Sequence, residues 1–375
     1  MKVALLLHPS IALNLPVCGG VERVALEELE RLPARGAEAE LYAAGGSGAH
    51  PRVHTLEPGN WRGRVGQWGY YRRFLRAAED ADVVHGHYTP ALATLAPRRA
   101  LVHLHGLSVA EIPLYRFTRA RAAQTHFAFC ARHVADKFAD MYPGLPAAHL
   151  HVLYNAADTE LFCPGPARPP GGPVQLTFHG LWEEPKGIFD LLDAVELLES
   201  KRQDFRVHLV GSALFEGDSP EAQANQRRVE QWAARLRTVR LVGPLGHPEL
   251  AEHLRQMDVG IFPSNHEEPF GNVVVEMMAA GLPVVAFDIG GPREIILEGE
   301  TGLLVENKNV RRLAAALETL IDNPELRARM GQRGRQRVEQ CFTWDRHVDQ
   351  LLGIYEQILR GGTPARAQGA TDGAV

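Results

Sequence analysis

The chain has 375 residues, with 40 Lys plus Arg against 45 Asp plus Glu and a formal net charge of −5. That length exceeds what one hydrophobic core usually supports, so two domains are expected. The slightly acidic balance argues against a nucleic-acid binder that works through bulk positive charge, and the four scattered cysteines (Cys18, Cys130, Cys163 and Cys341, with no CxxC pair) fit a reducing, cytoplasmic setting and indicate neither a disulfide framework nor a zinc knuckle.

The N-terminal run Met1-Lys-Val-Ala-Leu-Leu-Leu7 stops at His8-Pro9. It is too short for a signal peptide or a membrane span and reads as a first buried strand. Strand candidates follow at 3–7, 40–43, 83–85, 100–105, 125–129 and 151–153, with helical patterns such as 20–32 between them. The Pro/Gly-rich stretch 164–173 breaks this pattern and reads as a linker. Beyond it the scheme resumes, with strand candidates at 174–179, 206–210, 239–242, 259–262 and 283–287. Strands alternating with helices are the signature of parallel α/β sheets. The expected domains are therefore 1–163 and 174–343. A last helix at 344–360 carries apolar residues at Val348, Leu351, Leu352, Ile354, Tyr355 and Leu359, and the tail 361–375 reads as disordered. Open parallel sheets bind ligands at the carboxyl ends of their strands, so two such edges facing across the linker would place the site in an interdomain cleft.

The most informative stretch is His266-Glu-Glu-Pro-Phe-Gly-Asn-Val-Val-Val-Glu276-Met-Met-Ala-Ala-Gly281. A glycine-containing loop carries Glu268 and leads into a short helix carrying Glu276. The first N–H groups of such a helix lack intrahelical partners and present the positive end of its dipole, which suits a phosphate. Carboxylates on either side would then meet hydroxyls, such as those of a sugar and a ribose. The same spacing also describes an ordinary amphipathic helix with two solvated acids.

Other motifs sit at predicted strand-to-helix junctions. Cys18-Gly19-Gly20 opens the first long helix and would let backbone approach an anion closely. It matches neither the dinucleotide fingerprint nor the P-loop. Phe178-His-Gly180-Leu181-Trp182 leads to Lys186-Gly187, whose lysine is a point charge for phosphate or a plain surface lysine. His85-Gly-His87 and His103-Leu-His105 each place two imidazoles on one strand face. No acidic or cysteine ligand accompanies them in sequence, so no metal is expected, and His105 is read as a polar contact in the cleft. Gly290-Gly291-Pro292-Arg293-Glu294 is a tight turn with a cleft-facing arginine or a plain connection. At 61–76, arginines interleave with aromatics, which suits a packed amphipathic helix or peripheral contact with a membrane.

Taken together, these residues resemble the retaining glycosyltransferases of family four, which have the GT-B fold. The resemblance runs over nearly the whole chain, through Gly-Gly-Val-Glu at 19–22, His103–Gly106, Tyr154-Asn155-Ala-Ala-Asp158, Lys186-Gly187, the two-glutamate motif, Gly-Gly-Pro-Arg-Glu and Thr301-Gly-Leu-Leu-Val305. It implies two Rossmann-like domains facing across a cleft, with the last helix returning to the first domain. The implied donor is a nucleotide diphosphate sugar, taken as a UDP-sugar. The acceptor is a glycan, a small molecule or a lipid-linked group, and no metal or cofactor is implied. Glu276 would hold the ribose, and Lys186 with the backbone of Asn272, Val273 and Val274 would hold the diphosphate. Glu268, Phe270 and Gly271 would contact the donor sugar, with Gly180 and Arg293 also on the donor side. Gly20 would approach the diphosphate and His105 the reacting sugar. The chain departs from the family at Leu181, where an arginine is usual. A nucleotide-sugar epimerase and a non-catalytic binding relative are the alternatives.

Overall fold

The computed structural model describes residues 1–11, 13, 19–44, 50–57, 64–96, 99–107, 123–166, 171–214 and 219–362. Cys18, the segment 61–63, the middle of the expected linker at 167–170 and the tail from 363 lie outside them.

The chain divides into two compact units, one made of residues 1–130, 134–153 and 348–375, the other of 131–133 and 154–347. The break at Leu153 and Tyr154 precedes the Pro/Gly-rich stretch expected as the linker, so 154–163 belong with the second unit. Its first segment is held there by backbone pairing, since Ala157 N–H donates to Phe342 O (3.0 Å).

In the first unit the strands are β1 (Lys2–Leu7), β2 (Glu38–Ala44), β3 (Val53–Leu56), β4 (Val83–His87), β5 (Ala100–Leu104), β6 (His126–Phe129) and β7 (Leu150–Val152). They form one parallel sheet in the order β3-β2-β1-β4-β5-β6-β7. Its helices are α1 (Gly20–Arg31), α2 (Arg64–Ala77), α3 (Leu92–Leu95) and α4 (Arg132–Met141), the first two residues of α4 belonging with the second unit. The order reverses between β1 and β4, which opens a crevice at their carboxyl ends. In α2, Tyr70, Tyr71 and Phe74 are buried while Arg72, Arg73 and Arg76 are exposed, so the aromatic face packs inward.

The second unit repeats the scheme with β8 (Val174–His179), β9 (Phe205–Val210), β10 (Val239–Gly243), β11 (Val259–Phe262), β12 (Val284–Phe287) and β13 (Gly302–Val305). Its parallel order is β10-β9-β8-β11-β12-β13, reversing between β8 and β11. Helices α5 (Ile188–Glu199), α6 (Pro220–Ala233), α7 (His247–Leu254), α8 (Asn272–Ala279), α9 (Pro292–Ile295), α10 (Val310–Asp322) and α11 (Pro324–Cys341) accompany it.

Helix α12 (Trp344–Gly362) runs from the second unit into the first. Val348, Leu351, Ile354, Tyr355 and Ile358 join the core of the first unit. Leu359, expected on that face, is exposed and Ile358 takes its place, as the seven-residue step from Leu351 requires. No helix among the described residues is long and apolar enough to cross a membrane.

Candidate active site

The reversal of the second sheet places the loops after β8 and β11 side by side, and the candidate residues meet there. A 3-10 turn at Glu184–Lys186 follows β8. It is sewn to the end of β11 by Asn265, whose N–H donates to Pro185 O (3.0 Å) and whose Nδ2 donates to Glu184 O (3.0 Å) and Asp190 Oδ2 (2.9 Å). Gly187 adopts φ +70°, and a Cβ there would come within 1.7 Å of Pro263 O, so only glycine lets the lysine loop close this far. Lys186 Nζ consequently donates to Glu268 Oε1 at 2.6 Å, and Ser264 Oγ lies 2.8 Å from the same oxygen. His266 Nε2 is 3.4 Å from that oxygen. Glu268 is buried and Lys186 about one quarter exposed, so the pair lies at the edge of solvent.

The backbone of the Glu268 loop is set from below. Gly291 N–H donates to Glu268 O (2.8 Å), and a Cβ on Gly291 would sit 2.1 Å from Phe270 O. The paired glycines thus let the turn after β12 close onto the loop after β11. The Phe270 ring is buried against Tyr154 and Phe342, so it supports the loop rather than offering an apolar surface.

Gly271, at φ +109°, starts α8 without a side-chain cap. Val274 N–H donates to Gly271 O (2.9 Å), so Asn272 and Val273 are the residues whose N–H groups head the helix. Asn155 Nδ2 fixes the Asn272 side chain (2.9 Å). Glu276, a turn further on and buried, has its Oε1 3.6 Å from His247 Nε2 at the start of α7. Gly180 closes β8 and Leu181 is half-buried beside it. Arg293 is mostly exposed and donates to Asp288 Oδ1 (2.6 Å).

Glu294, the last residue of the glycine turn, accepts from the N–H groups of Arg132 (2.9 Å) and His133 (2.8 Å), from His133 Nδ1 (2.9 Å) and from Tyr154 OH (3.0 Å). Burial alone would raise its pKa, but the bonds from His133 and its other donors outweigh that and bring it down to about 2. Burial and the Glu294 charge push the Tyr154 phenol up to about 12. Glu294 is thus a clamp on 131–133 and Tyr154, a role its motif did not reveal.

In the first unit, Gly20 begins α1, with the Glu22 carboxylate in its first turn. His105 follows β5, is buried, and holds Nε2 3.0 Å from His87 Nδ1. Behind it, the histidines expected to lack an acidic companion have one. Glu28 of α1 faces His85, His87 and His103. The residue was missed because its partners are distant in sequence, although it falls on the buried stripe formed by Val24, Ala25 and Leu29, and a charge there is itself a signal.

Comparison with known proteins agrees with this frame. Residues 166–337 match the family described as glycosyl transferases group 1, and residues 18–161 match glycosyltransferase family 4. The D-inositol 3-phosphate glycosyltransferase 1 of Catenulispora acidiphila is 31% identical over 317 residues, covering 77% of this chain and 75% of that protein. The glycogen synthase of Mycobacterium tuberculosis is 32% identical over 233 residues, 62% of this chain, and the match spans about half (54%) of its length. Among solved structures, Anabaena HepE in complex with UDP and glucose superposes with a TM-score of 0.75 at 21% identity, over 95% of this chain and 99% of that one. The fold is GT-B, two Rossmann-like units. The chain belongs to the family-four glycosyltransferases.

Proposed function

We propose that the protein is a retaining glycosyltransferase that moves a sugar from a nucleotide diphosphate sugar, read as a UDP-sugar, to an acceptor hydroxyl, with no metal or cofactor in the transfer step. The observation that carries this reading is the Lys186–Glu268 pair beside the uncapped start of α8, with Glu276 one helix turn beyond. As the donor breaks, negative charge grows on the β-phosphate oxygen of the leaving nucleotide, and fixed positive groups there lower the barrier most. Lys186 and the N–H groups of Asn272 and Val273 supply them. Glu276 takes the ribose hydroxyls. Glu268, held by Lys186 and Ser264, orients donor-sugar hydroxyls together with the main chain at Phe270 and Gly271, and Gly180 leaves room beside them.

Arg293, which pairs with Asp288 near the surface, stands as a further donor-side cation, and the helix start adds to what the arginine absent at Leu181 would supply. The roles of Gly20 and His105, close approach to the diphosphate and contact with the reacting sugar, rest on the family resemblance. Among the described residues no side chain of the site is set as a covalent nucleophile, which favours attack by the acceptor on the face the nucleotide leaves. The UDP reading is supported by the ligand of the HepE structure. The acceptor belongs to glycans, small molecules or lipid-linked groups.

Thermal unfolding in the presence of UDP-, GDP-, ADP- and dTDP-sugars tests the donor, because a ligand that binds the folded state raises its midpoint. A shift largest with UDP-sugars is expected, followed by a product of retained anomeric configuration by NMR. An inverted product would contradict the mechanism. Donor conversion without acceptor would identify an epimerase instead, and binding without turnover a non-catalytic relative.

A further inference from the structure

A second constellation lies in the first unit, behind His105. Glu28 of α1, His85 and His87 of β4 and His103 of β5 converge with 0% exposure each. One ligand atom from each lies within 4.8 Å of the others. Glu28 Oε2 is 3.2 Å from His87 Nε2 and 3.3 Å from His85 Nδ1, and Oε1 is 3.8 Å from His103 Nδ1. Donors bonded to a tetrahedral ion at about 2.0–2.1 Å stand about 3.4 Å from one another, close to the two Oε2 distances, with the His103 contact somewhat wider. We propose that the four side chains bind one divalent transition-metal ion of the zinc class, with the Glu28 carboxylate and three neutral imidazoles as ligands.

The physical case begins with cost. A carboxylate sealed from water is strongly unfavourable unless its charge is met. A divalent ion meets the carboxylate and all three rings at once. The neutral imidazole is the ligating form of such a ring.

The scaffold is rigid. His85 and His87 share one face of β4, and His87 lies in register with His103 of β5. Gly86 lets β4 pack flush, since a Cβ there would fall 1.7 Å from Thr89 Oγ1. Three nitrogens and one carboxylate suit zinc-class ions rather than magnesium or calcium. Outside the four, His87 Nδ1, the ring nitrogen turned away from Glu28, faces His105 Nε2 at 3.0 Å. Such outer contacts orient metal ligands and are oriented by them. The ion would therefore tie α1, β4 and β5 into one block and fix the direction of the His105 ring, without taking part in group transfer.

The test uses the untagged full-length protein, dialysed against Zn²⁺ and then against metal-free buffer, with metal counted by mass spectrometry. One retained equivalent per chain is expected, and its removal by a strong chelator lowers the unfolding midpoint. Reloading with Co²⁺ gives the intense visible bands of a four-coordinate site. These are lost in Glu28→Gln and His87→Ala. They persist in His149→Ala, which disrupts the other stacked imidazoles, His126, His149 and His151. No retained metal in folded wild-type protein would overturn the proposal, and so would undiminished cobalt bands in folded Glu28→Gln. Neither readout depends on donor or acceptor.

Discussion

The two sheets answer a buried carboxylate in opposite ways. At the switch point of the second sheet, Glu268 is met by a lysine that remains about one quarter exposed, so the pair can be reached and rearranged by a ligand. Against the first sheet, Glu28 is met by three imidazoles with no exposure at all. The first arrangement is open and suits turnover; the second is closed and suits holding an element in place. Similar α/β frames thus host two kinds of polar site, separated by how much water reaches the charge.

The largest expected effect is on the open side. Lys186→Ala should lower kcat about 10²–10³-fold, the usual loss when one group that stabilises the leaving charge is removed. Because it also leaves Glu268 without its cation, kcat should be taken per folded molecule by active-site titration. Glu276→Ala should instead weaken nucleotide binding roughly tenfold or more, about 1.4 kcal/mol by calorimetry, with a smaller change in kcat. Equal nucleotide affinity in wild type and Glu276→Ala would break the proposed division of labour between Lys186 and Glu276.

A second change concerns stability. Glu294→Ala removes four donors' worth of bonds to one carboxylate, and with partial solvent screening the cost should be about 2 kcal/mol, read as a drop in the unfolding midpoint. Since the folded pKa of Glu294 is lowered to about 2, its contribution is present above the ordinary carboxylate range. It is lost as pH falls from about 4.5 toward 2. The difference between wild type and variant should therefore shrink over that interval, and a constant difference would show that Glu294 acts by packing alone.

The smallest and most distributed effect involves both units. Burial holds His126 and His151 in the first, and His179 and His253 in the second, at pKa values of about 4. These rings are neutral when folded, whereas the unfolded chain takes up protons near pH 6.5, so stability falls as pH drops from about 6.5 to 4. Midpoints measured across that range should decline steadily. A flat profile would mean that these rings are more hydrated than their packing implies.

Much of the open site was legible in sequence because its residues are local. Lys186-Gly187 and Glu268 through Glu276 sit at strand ends, where alternating apolar runs already mark the junctions. His247 and Asn155 were not legible as partners, since each reaches its contact across the fold, and Ser264, though only four residues from Glu268, lies in an irregular loop with no period to betray the contact. Two strands also escaped. In β3 the pattern is half-polar because it is a sheet edge, and β13 is four residues long behind a glycine. The closed site illustrates the limit best. Its histidines were visible as dipeptides, but the acid that completes them lies about 57 positions earlier and becomes a neighbour only when α1 packs on the sheet.

The path of α12 has a consequence for how the protein is made. The first unit needs Val348, Leu351, Tyr355 and Ile358 to close its core, and the Tyr355 hydroxyl reaches His85 within it. During synthesis the ribosome delivers residues 1–153 first, yet their core stays unfinished until this late segment emerges. Residues 154–347 carry a complete core of their own. The second unit can therefore mature before the first, reversing the order of translation, and the earlier half must wait with an apolar face exposed.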